Sequence, residues 1–243
     1  MFNKIILYKH NIFSVFTVLI VVICLFYPSS WLQAQSLSNS VQKIYIQEQK
    51  MQKVGTGFFI HPNILATNYH VVKGATNLFL LNKENPVSVS TVLAFDKQTD
   101  LVLLYSPIQG KPLSFSSSPL AYGEEVTTIG YPKGESLQKY PGIFLGWEKI
   151  HEIWHIQIHG YIIPGMSGGP VLNEQGEVVG VNRLGSFLSA SRLRGAILVN
   201  YLKDMLDKAL DSPAFMSLDS FSDKTQTGLK LQVHQEHILI TED

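Results

Sequence analysis

One segment of the sequence combines glycines with a serine in a pattern that suits nucleophilic catalysis. It is GMSGGP, residues 165–170. The glycines allow the backbone to fold tightly around Ser167, so that the backbone N–H groups of Gly165 and Ser167 can converge beside its hydroxyl. Two such donors can stabilise the negative oxygen of a tetrahedral intermediate. A tight hairpin without a catalytic role is the alternative interpretation of this glycine-rich turn.

Two other segments contain the partners that a serine nucleophile needs. A neutral imidazole must take the proton of the hydroxyl, and a buried carboxylate must orient the imidazole. The segment ILATNYHVV presents His70 just beyond a predicted strand, and TDLVLL places Asp100 before four apolar residues. Singly, His70 could be a structural histidine and Asp100 a turn residue, with Asp96 as a nearby competitor. Together with Ser167, the two residues predict a catalytic triad.

The rest of the sequence predicts the strands that must position these side chains. From residue 41 onward, short apolar or alternating runs recur every 8–12 residues, separated by turn residues. We therefore predict an all-β fold of two six-stranded antiparallel barrels, at about residues 38–105 and 124–198. Apolar residues at helical spacing predict a closing helix over residues 200–210.

The composition is that of a globular protein, and its balanced charge argues against nucleic acid as a partner. Of the 243 residues, 45% are hydrophobic and 16% are charged, and 19 basic side chains balance 19 acidic ones. A chain without excess positive charge is not expected to bind nucleic acid. The one cysteine, Cys24, lies in the N-terminal apolar stretch. Neither a disulfide nor a thiolate metal site is therefore expected in the folded part.

Residues 1–34 have the features of a targeting segment. Basic residues precede the uncharged apolar run of residues 12–27, and Ala34 offers a small side chain to a signal peptidase. The run is shorter than the roughly 20 residues of a membrane span. We expect a cleaved signal peptide and an exported protein, periplasmic or extracellular. Retention of residues 12–27 as a membrane anchor is the alternative. The folded domain would then be residues 35–210, and residues 211–243 a polar tail.

Three histidines at four-residue spacing raise the question of a metal site. They are His151, His155 and His159, in a segment whose alternation predicts a strand over residues 150–160. At about 3.3 Å per residue, neighbours four apart in a strand are about 13 Å apart. That distance is too long for bonds of about 2 Å to one shared ion. We therefore expect solvent-facing strand histidines, and neither a metal nor another cofactor.

These segments resemble the trypsin/chymotrypsin superfamily of serine peptidases, in particular its bacterial HtrA-like branch. The similarity extends beyond the three site segments to VGTGFFI before the His70 segment, YGEEVTTIGYP before the serine, and VVGVN after it. It covers roughly residues 38–210. The resemblance implies a chymotrypsin-like fold in which one barrel carries His70 and Asp100 and the other carries Ser167, with the site in the cleft between them.

The resemblance also implies a role for each residue. His70 would be the general base and then the general acid, Asp100 would orient it, and Ser167 would attack the peptide carbonyl. The N–H groups of Gly165 and Ser167 would form the oxyanion hole. The chain would then be a serine endopeptidase that acts on protein or peptide substrates without a cofactor. About 33 residues follow the predicted helix, too few for the PDZ domain often found in this branch, so we expect a protease domain only.

The resemblance leaves the substrate pocket and one loop position open. Met166 stands where digestive members have Asp and HtrA-like members usually have Asn, and Ile163 stands where that branch often has another Asn. Arg183 could select an acidic substrate side chain or could point to solvent. The residues expected to line the pocket come from the segments before and after Ser167: Tyr161, Ile162, Ile163, Val181, Asn182 and Arg183.

Two other functions fit parts of the sequence. The segment also matches G-x-S-x-G, the nucleophile elbow of α/β-hydrolase esterases, but that elbow needs a helix directly after the serine. Here Pro170 follows within three residues, and only His234 and His237 come later in the chain. A catalytically inactive protein that binds ligands on a protease fold is the second alternative, because a complete triad can lie in a locked loop.

Overall fold

The computed structural model describes residues 37–48, 51–82, 85–183 and 193–221. The predicted targeting segment, residues 1–34, lies outside the described residues. The chain divides into residues 1–38 and 39–243, and every element discussed below belongs to the second unit. Among the described residues, no helix has the length and apolar character needed to cross a membrane.

Strands dominate the described part of the chain. The helices include α1 (Tyr69–Val72) and α2 (Val199–Asp211), a 3₁₀ turn covers Pro132–Gly134, and residues 218–221 are also helical. The strands, in chain order, are β1 (Val41–Glu48), β2 (Met51–His61), β3 (Ile64–Asn68), β4 (Asn77–Asn82), β5 (Asn85–Ser88), β6 (Thr91–Asp96), β7 (Leu101–Tyr105), β8 (Glu125–Gly130), β9 (Gln138–Ile150), β10 (Ile153–His159), β11 (Pro170–Leu172), β12 (Val178–Arg183), β13 (Leu193–Leu198) and β14 (Met216–Ser217).

The strands form two antiparallel sheets. The first sheet has eight strands in the order β14-β6-β7-β3-β2-β1-β4-β5, and the second is a closed barrel in the order β10-β13-β12-β11-β8-β9. The all-β prediction with two sheets and a C-terminal helix is therefore confirmed. The first sheet differs from the predicted six-stranded barrel in two ways: it has eight strands, with β5 and β14 at its two edges, and it is not a closed barrel, whereas the second sheet is closed.

Each sheet encloses its own apolar core. The core of the first sheet includes Phe59, Leu65 and Leu104, and that of the second barrel includes Phe144 and Ile158. Both cores contain side chains with no exposed surface. Such tightly packed interiors resist deformation, so each sheet is rigid. The polar side chains of a functional site are therefore expected in the loops at the ends of the strands.

The pairing of β3 with β7 brings two of the predicted site residues together. Both strands lie inside the sheet, and their apolar residues are buried. Asn68, the last residue of β3, is opposite Leu101, the first residue of β7. Asp100 and His70, which lie just outside this pair, are consequently neighbours in space although they are far apart in sequence.

The segment after α2 belongs to the first sheet. Met216 and Ser217 pair with β6, and Leu218 and Phe221 are buried in the first core. The Phe221 ring lies 5.6 Å from the ring of Tyr69, which directly precedes His70. The sequence prediction treats residues 211–243 as a polar tail. In the structure, the described part of that tail instead packs behind the turn that carries His70.

This packing predicts that Phe221→Ala destabilises the domain. A fully buried Phe that is truncated to Ala costs about 3–5 kcal/mol, because transfer energy is lost and a cavity remains. Phe215→Ala, in the same segment but only half-buried, is the matched control and should cost less. Urea unfolding measures both. Equal losses in the two variants would contradict the assignment of Phe221 to the core.

Candidate active site

A single helical turn presents His70 to the solvent. Asn68 ends β3 in an extended conformation, and α1 follows at once. Tyr69, Val71 and Val72 are buried, whereas the His70 side chain is 42% exposed. The buried neighbours anchor the turn in the first core, so the imidazole is held at a defined place while one of its edges stays accessible.

Asp100 holds this imidazole and the backbone of the same turn. His70 Nδ1 is 2.7 Å from Asp100 Oδ2, and the His70 backbone N–H donates to Oδ1 over 2.8 Å. The Asp100 carbonyl accepts from the Tyr69 N–H and from the Asn68 side-chain amide. Asp96, the alternative candidate, instead accepts from the nearby Gln98 N–H. The structure thus brings His70 together with Asp100 and not with Asp96.

Two residues of the second barrel extend this pair. Arg183 Nε lies 3.1 Å from Asp100 Oδ2, and Arg183 Nη1 lies 3.1 Å from His155 Nε2. His155 Nδ1 lies 2.9 Å from the Ile153 carbonyl, which can only accept, so Nδ1 carries the proton and Nε2 accepts from the guanidinium. Burial, together with the positive charge of Arg183, lowers the pKa of His155. The buried imidazole is therefore held in its neutral form.

The sequence expectation for the three histidines is wrong in two respects. His155 is buried, with 3% of its surface exposed, and not solvent-facing. The segment 150–160 is also not one strand, because β9 and β10 meet in a two-residue hairpin at His151 and Glu152, both with positive φ. Within the described ranges, no group of three His, Cys, Asp or Glu side chains is placed to hold a metal ion.

A tight turn sets the orientation of the backbone before Ser167. The Met166 N–H donates to the Ile163 carbonyl, and Gly165 has φ +97°. With Pro164 at the second position and a positive φ at the third, this is a type II turn. The ideal Cβ of any residue at position 165 would lie 2.3 Å from the Tyr131 carbonyl oxygen. Glycine is therefore required there for space as well as for conformation.

This turn leaves two N–H groups beside Ser167 available. The Lys133 N–H donates to the Pro164 carbonyl over 2.7 Å. Because C=O and N–H point in opposite directions across a trans peptide, the Gly165 N–H points away from the Pro132–Gly134 turn. Within the described part of the chain, neither the Gly165 N–H nor the Ser167 N–H donates a hydrogen bond. These are the two donors predicted for an oxyanion hole.

Apolar burial stabilises the loop at Met166, the position that the resemblance left open. Met166 has no exposed surface, and an ideal Cβ on Gly130 would lie 2.8 Å from Met166 Cα. The Met166 carbonyl accepts from the Gly169 N–H over 3.0 Å. Side-chain burial and backbone hydrogen bonds thus act here in place of a polar side chain.

Thr56 of β2 connects the first sheet to the serine loop, and sequence reasoning did not identify it as a site residue. Its N–H donates to the Ser167 carbonyl over 2.9 Å, and its hydroxyl donates to the Gly165 carbonyl over 2.7 Å. An ideal Cβ on Gly168 would lie 2.0 Å from the Thr67 hydroxyl oxygen. The serine loop is therefore seated directly against the strand that leads to His70. The only sequence signal was the glycine-flanked GTG pattern around Thr56.

Ser167 and His70 lie on adjoining segments but are not hydrogen-bonded to each other. The Ser167 residue is 6% exposed. Among the hydrogen bonds of the described residues, none joins the Ser167 hydroxyl to the His70 ring. Catalytic hydrogen bonds in ligand-free enzymes are often long and tighten only when substrate binds.

The residues predicted to line a substrate pocket occupy different environments. Ile162, Val181 and Asn182 are buried, and the Asn182 amide donates to the Ile129 carbonyl. Tyr161 is 65% exposed, and Ile163 is partly exposed. The Arg183 side chain, 21% exposed, directs its charge towards Asp100. Tyr161 and Ile163 thus have surface that a substrate side chain could contact. Their role in a substrate pocket stays a prediction.

The neutral state of His155 predicts a pH-dependent stability. The folded protein keeps this imidazole unprotonated where an unfolded chain would protonate it. Below about pH 6.5 the unfolded state therefore binds more protons, and the stability of the wild type falls relative to His155→Gln as the pH decreases. Urea unfolding between pH 8 and pH 5 tests this. A constant difference between the two proteins would contradict a lowered pKa of His155.

The elements around Ser167 exclude the esterase interpretation. An α/β-hydrolase needs a helix immediately after its serine. Here the strand β11 (Pro170–Leu172) follows and pairs antiparallel with β8 and β12. The described chain places the serine in an antiparallel barrel and not at the top of a parallel sheet.

Curated proteins with related sequences are serine proteases. The serine protease Rv3671c of Mycobacterium tuberculosis is 32% identical over 158 residues, which are 58% of this chain and 39% of that protein. A probable periplasmic serine endoprotease DegP-like of Hahella chejuensis is 31% identical over 178 residues, which are 68% of this chain and 37% of that protein. The chain thus spans less than two fifths of the length of these relatives.

Solved structures and a family model agree with this similarity. The active form of the Rv3671c protease superposes with a TM-score of 0.66 at 26% identity, covering 72% of this chain and 82% of that chain. An HtrA-type protease, AlgW with tripeptide, has the same fold, with a TM-score of 0.65 at 20% identity, covering 76% and 64% of the two chains. A family model described as trypsin-like peptidase domain matches residues 55–181, just over half of the chain. The resemblance found in the sequence is confirmed, and the chain belongs to the trypsin-like peptidase family.

Proposed function

We propose that the chain is a serine endopeptidase that hydrolyses peptide bonds of protein substrates through His70, Asp100 and Ser167. One combination of features carries the proposal. The imidazole of His70 is bound through Nδ1 to a buried carboxylate, and on the adjoining loop the N–H groups of Gly165 and Ser167 donate to no other described residue. This is the arrangement that acyl transfer requires, with a base oriented by an acid and donors for an oxyanion.

The first half of the reaction forms an acyl-enzyme. His70 Nε2 takes the proton of the Ser167 hydroxyl as Oγ forms a bond to the substrate carbonyl carbon. The carbonyl oxygen becomes negative and accepts hydrogen bonds from the N–H groups of Gly165 and Ser167. The positive charge on His70 is compensated by Asp100. The imidazolium then protonates the leaving nitrogen, the C–N bond breaks, and the acyl group remains on Ser167.

The second half reverses these roles with water. His70 removes a proton from a water molecule, and the resulting hydroxide attacks the ester carbonyl of the acyl-enzyme. The same two N–H groups bind the second oxyanion. Its collapse breaks the bond to Ser167 Oγ, which recovers its proton from His70. The cycle starts with contact between the His70 ring and the Ser167 hydroxyl, and catalytic hydrogen bonds of this kind often tighten when substrate binds.

Substrate class and location are further parts of the proposal. Tyr161 and Ile163 give the pocket an apolar and aromatic surface, which favours apolar substrate side chains. The basic start and apolar run of residues 1–34, and relatives named as periplasmic, support export. Partners are protein or peptide substrates. Membrane attachment follows only if residues 12–27 are retained, which N-terminal sequencing of the protein from its host would decide.

Replacement of the proposed nucleophile should abolish cleavage and preserve the fold. The Ser167 hydroxyl makes no hydrogen bond among the described residues, so Ser167→Ala should leave the melting temperature unchanged. Cleavage of unfolded casein should fall by at least about 10³-fold, and labelling by a fluorophosphonate should disappear. Ser117→Ala, at an exposed serine, is the matched control. Casein cleavage by Ser167→Ala at the wild-type rate would refute the mechanism. A wild-type protein that neither cleaves nor labels would instead be an inactive binding protein.

The turn at Gly165 gives a separate test of the oxyanion hole. Gly165→Ala introduces a methyl group against the Tyr131 carbonyl, so the turn must shift and the Gly165 N–H must move. We expect kcat to fall by about 10²–10³-fold, the loss typical of one oxyanion donor. Gly176→Ala has a similarly positive φ but open space around its Cβ, which makes it the control for backbone strain. Equal kcat values in the two variants would remove Gly165 from the mechanism.

A further inference from the structure

Asp100 of the proposed triad forms an ion pair with Arg183, a residue that has no part in the catalytic steps described above. Arg183 Nε contacts Asp100 Oδ2, the same oxygen that faces His70 Nδ1. The Asp100 side chain is 5% exposed, so an ionised carboxylate there depends on partners within the protein. Among the described residues, Arg183 is the one Lys or Arg that forms an ion pair with Asp100.

His155 fixes the other end of the guanidinium. Its Nε2 accepts from Arg183 Nη1, and its Nδ1 donates to the Ile153 carbonyl. The neighbouring residues Ile156 and Ile158 point into the core of the second barrel, and side chains alternate along a strand. His155 therefore lies on the opposite face of β10, where Arg183 covers it. A long side chain held at two nitrogens loses its rotational freedom.

The resulting chain of contacts joins the second barrel to the base of the triad. It runs from the Ile153 carbonyl through His155, Arg183 and Asp100 to His70. Each link is between 2.7 and 3.1 Å long. The link from Arg183 to Asp100 crosses from β12 to the first sheet. It is a side-chain counterpart to the backbone contacts that Thr56 makes with the serine loop.

We infer that Arg183 is a positioning residue of the triad, with His155 as its support. This inference rests on the proposed function. Arg183 places an opposite charge beside the buried carboxylate and fixes Asp100 Oδ2, the oxygen that orients His70. Without this contact the carboxylate is free to turn, and the imidazole that it holds turns with it.

Two further titratable residues lie beside these contacts, Tyr69 on the first sheet and Glu148 on the second barrel. Tyr69 is neutral at neutral pH, because burial and the charge of Asp100 raise its pKa. His155 is neutral as well, because burial lowers its pKa. Arg183 is therefore the cation that pairs with Asp100 at this place.

Three variants separate charge from contact. Arg183→Met removes both the charge and the contacts with Asp100 and His155, and should lower kcat at least about 10-fold with less than a twofold change in KM. Arg183→Lys retains the charge but lacks the planar guanidinium that contacts both residues, so kcat should fall less than in Arg183→Met. His155→Gln should lower kcat less than Arg183→Met. Lys139→Met, at an exposed lysine on β9, controls for the loss of one positive charge.

The outcomes distinguish this inference from the proposed function. A wild-type kcat in Arg183→Met would show that Arg183 has no effect on the triad and would overturn the inference. A change confined to KM for peptides with an acidic side chain at the cleavage site would overturn it as well, since Arg183 would then bind substrate. If Arg183→Met does not fold, the kcat values of Arg183→Lys and His155→Gln decide, and wild-type values in both would overturn the inference. None of these outcomes bears on the peptidase mechanism itself, which retained cleavage by Ser167→Ala would refute.

Discussion

The buried negative charge of Asp100 constrains the whole site. An ionised carboxylate removed from water is tolerated only where hydrogen bonds and an opposite charge replace its hydration. The turn after β3 supplies the N–H and the imidazole of His70, and β12 supplies Arg183. Because these partners come from different sheets, the carboxylate is satisfied only when the two sheets are docked in one arrangement. That arrangement also places the serine loop beside His70.

Backbone contacts impose the same docking independently of charge. Thr56 holds two carbonyls of the serine loop, and Gly168 approaches the end of β3 so closely that a side chain cannot fit. The Lys133 N–H fixes the Pro164 carbonyl and thereby the direction of the Gly165 N–H. The proposed base and the proposed oxyanion donors are thus organised by separate sets of interactions. Preorganised donors of this kind need no rearrangement when charge develops in the transition state.

The sequence predicted the parts of the site that depend on local chemistry. The segment GMSGGP, the turn after β3 and the residue before β7 led to Ser167, His70 and Asp100 as the candidate triad, and strand spacing predicted the all-β fold. Contacts between distant segments were not predictable. Alternation along β10 does not tell which face is buried, so His155 was assigned to the solvent. Without an Asn-Gly or Asp-Gly signal, the hairpin at His151 and Glu152 was also missed. Nothing local links Arg183 to Asp100, or Phe221 to the first core.

The central claim is that the imidazole, the serine hydroxyl and the two loop N–H groups converge on one reacting carbonyl. A crystal structure of the protein inactivated by a peptidyl phosphonate tests this most directly, because the tetrahedral phosphorus mimics the attacked carbon. We expect phosphorus bonded to Ser167 Oγ and one phosphonyl oxygen at about 2.7–3.1 Å from the N–H groups of Gly165 and Ser167. His70 Nε2 should lie within hydrogen-bond reach of the adduct. An adduct on another residue, or a phosphonyl oxygen directed away from both N–H groups, would contradict it.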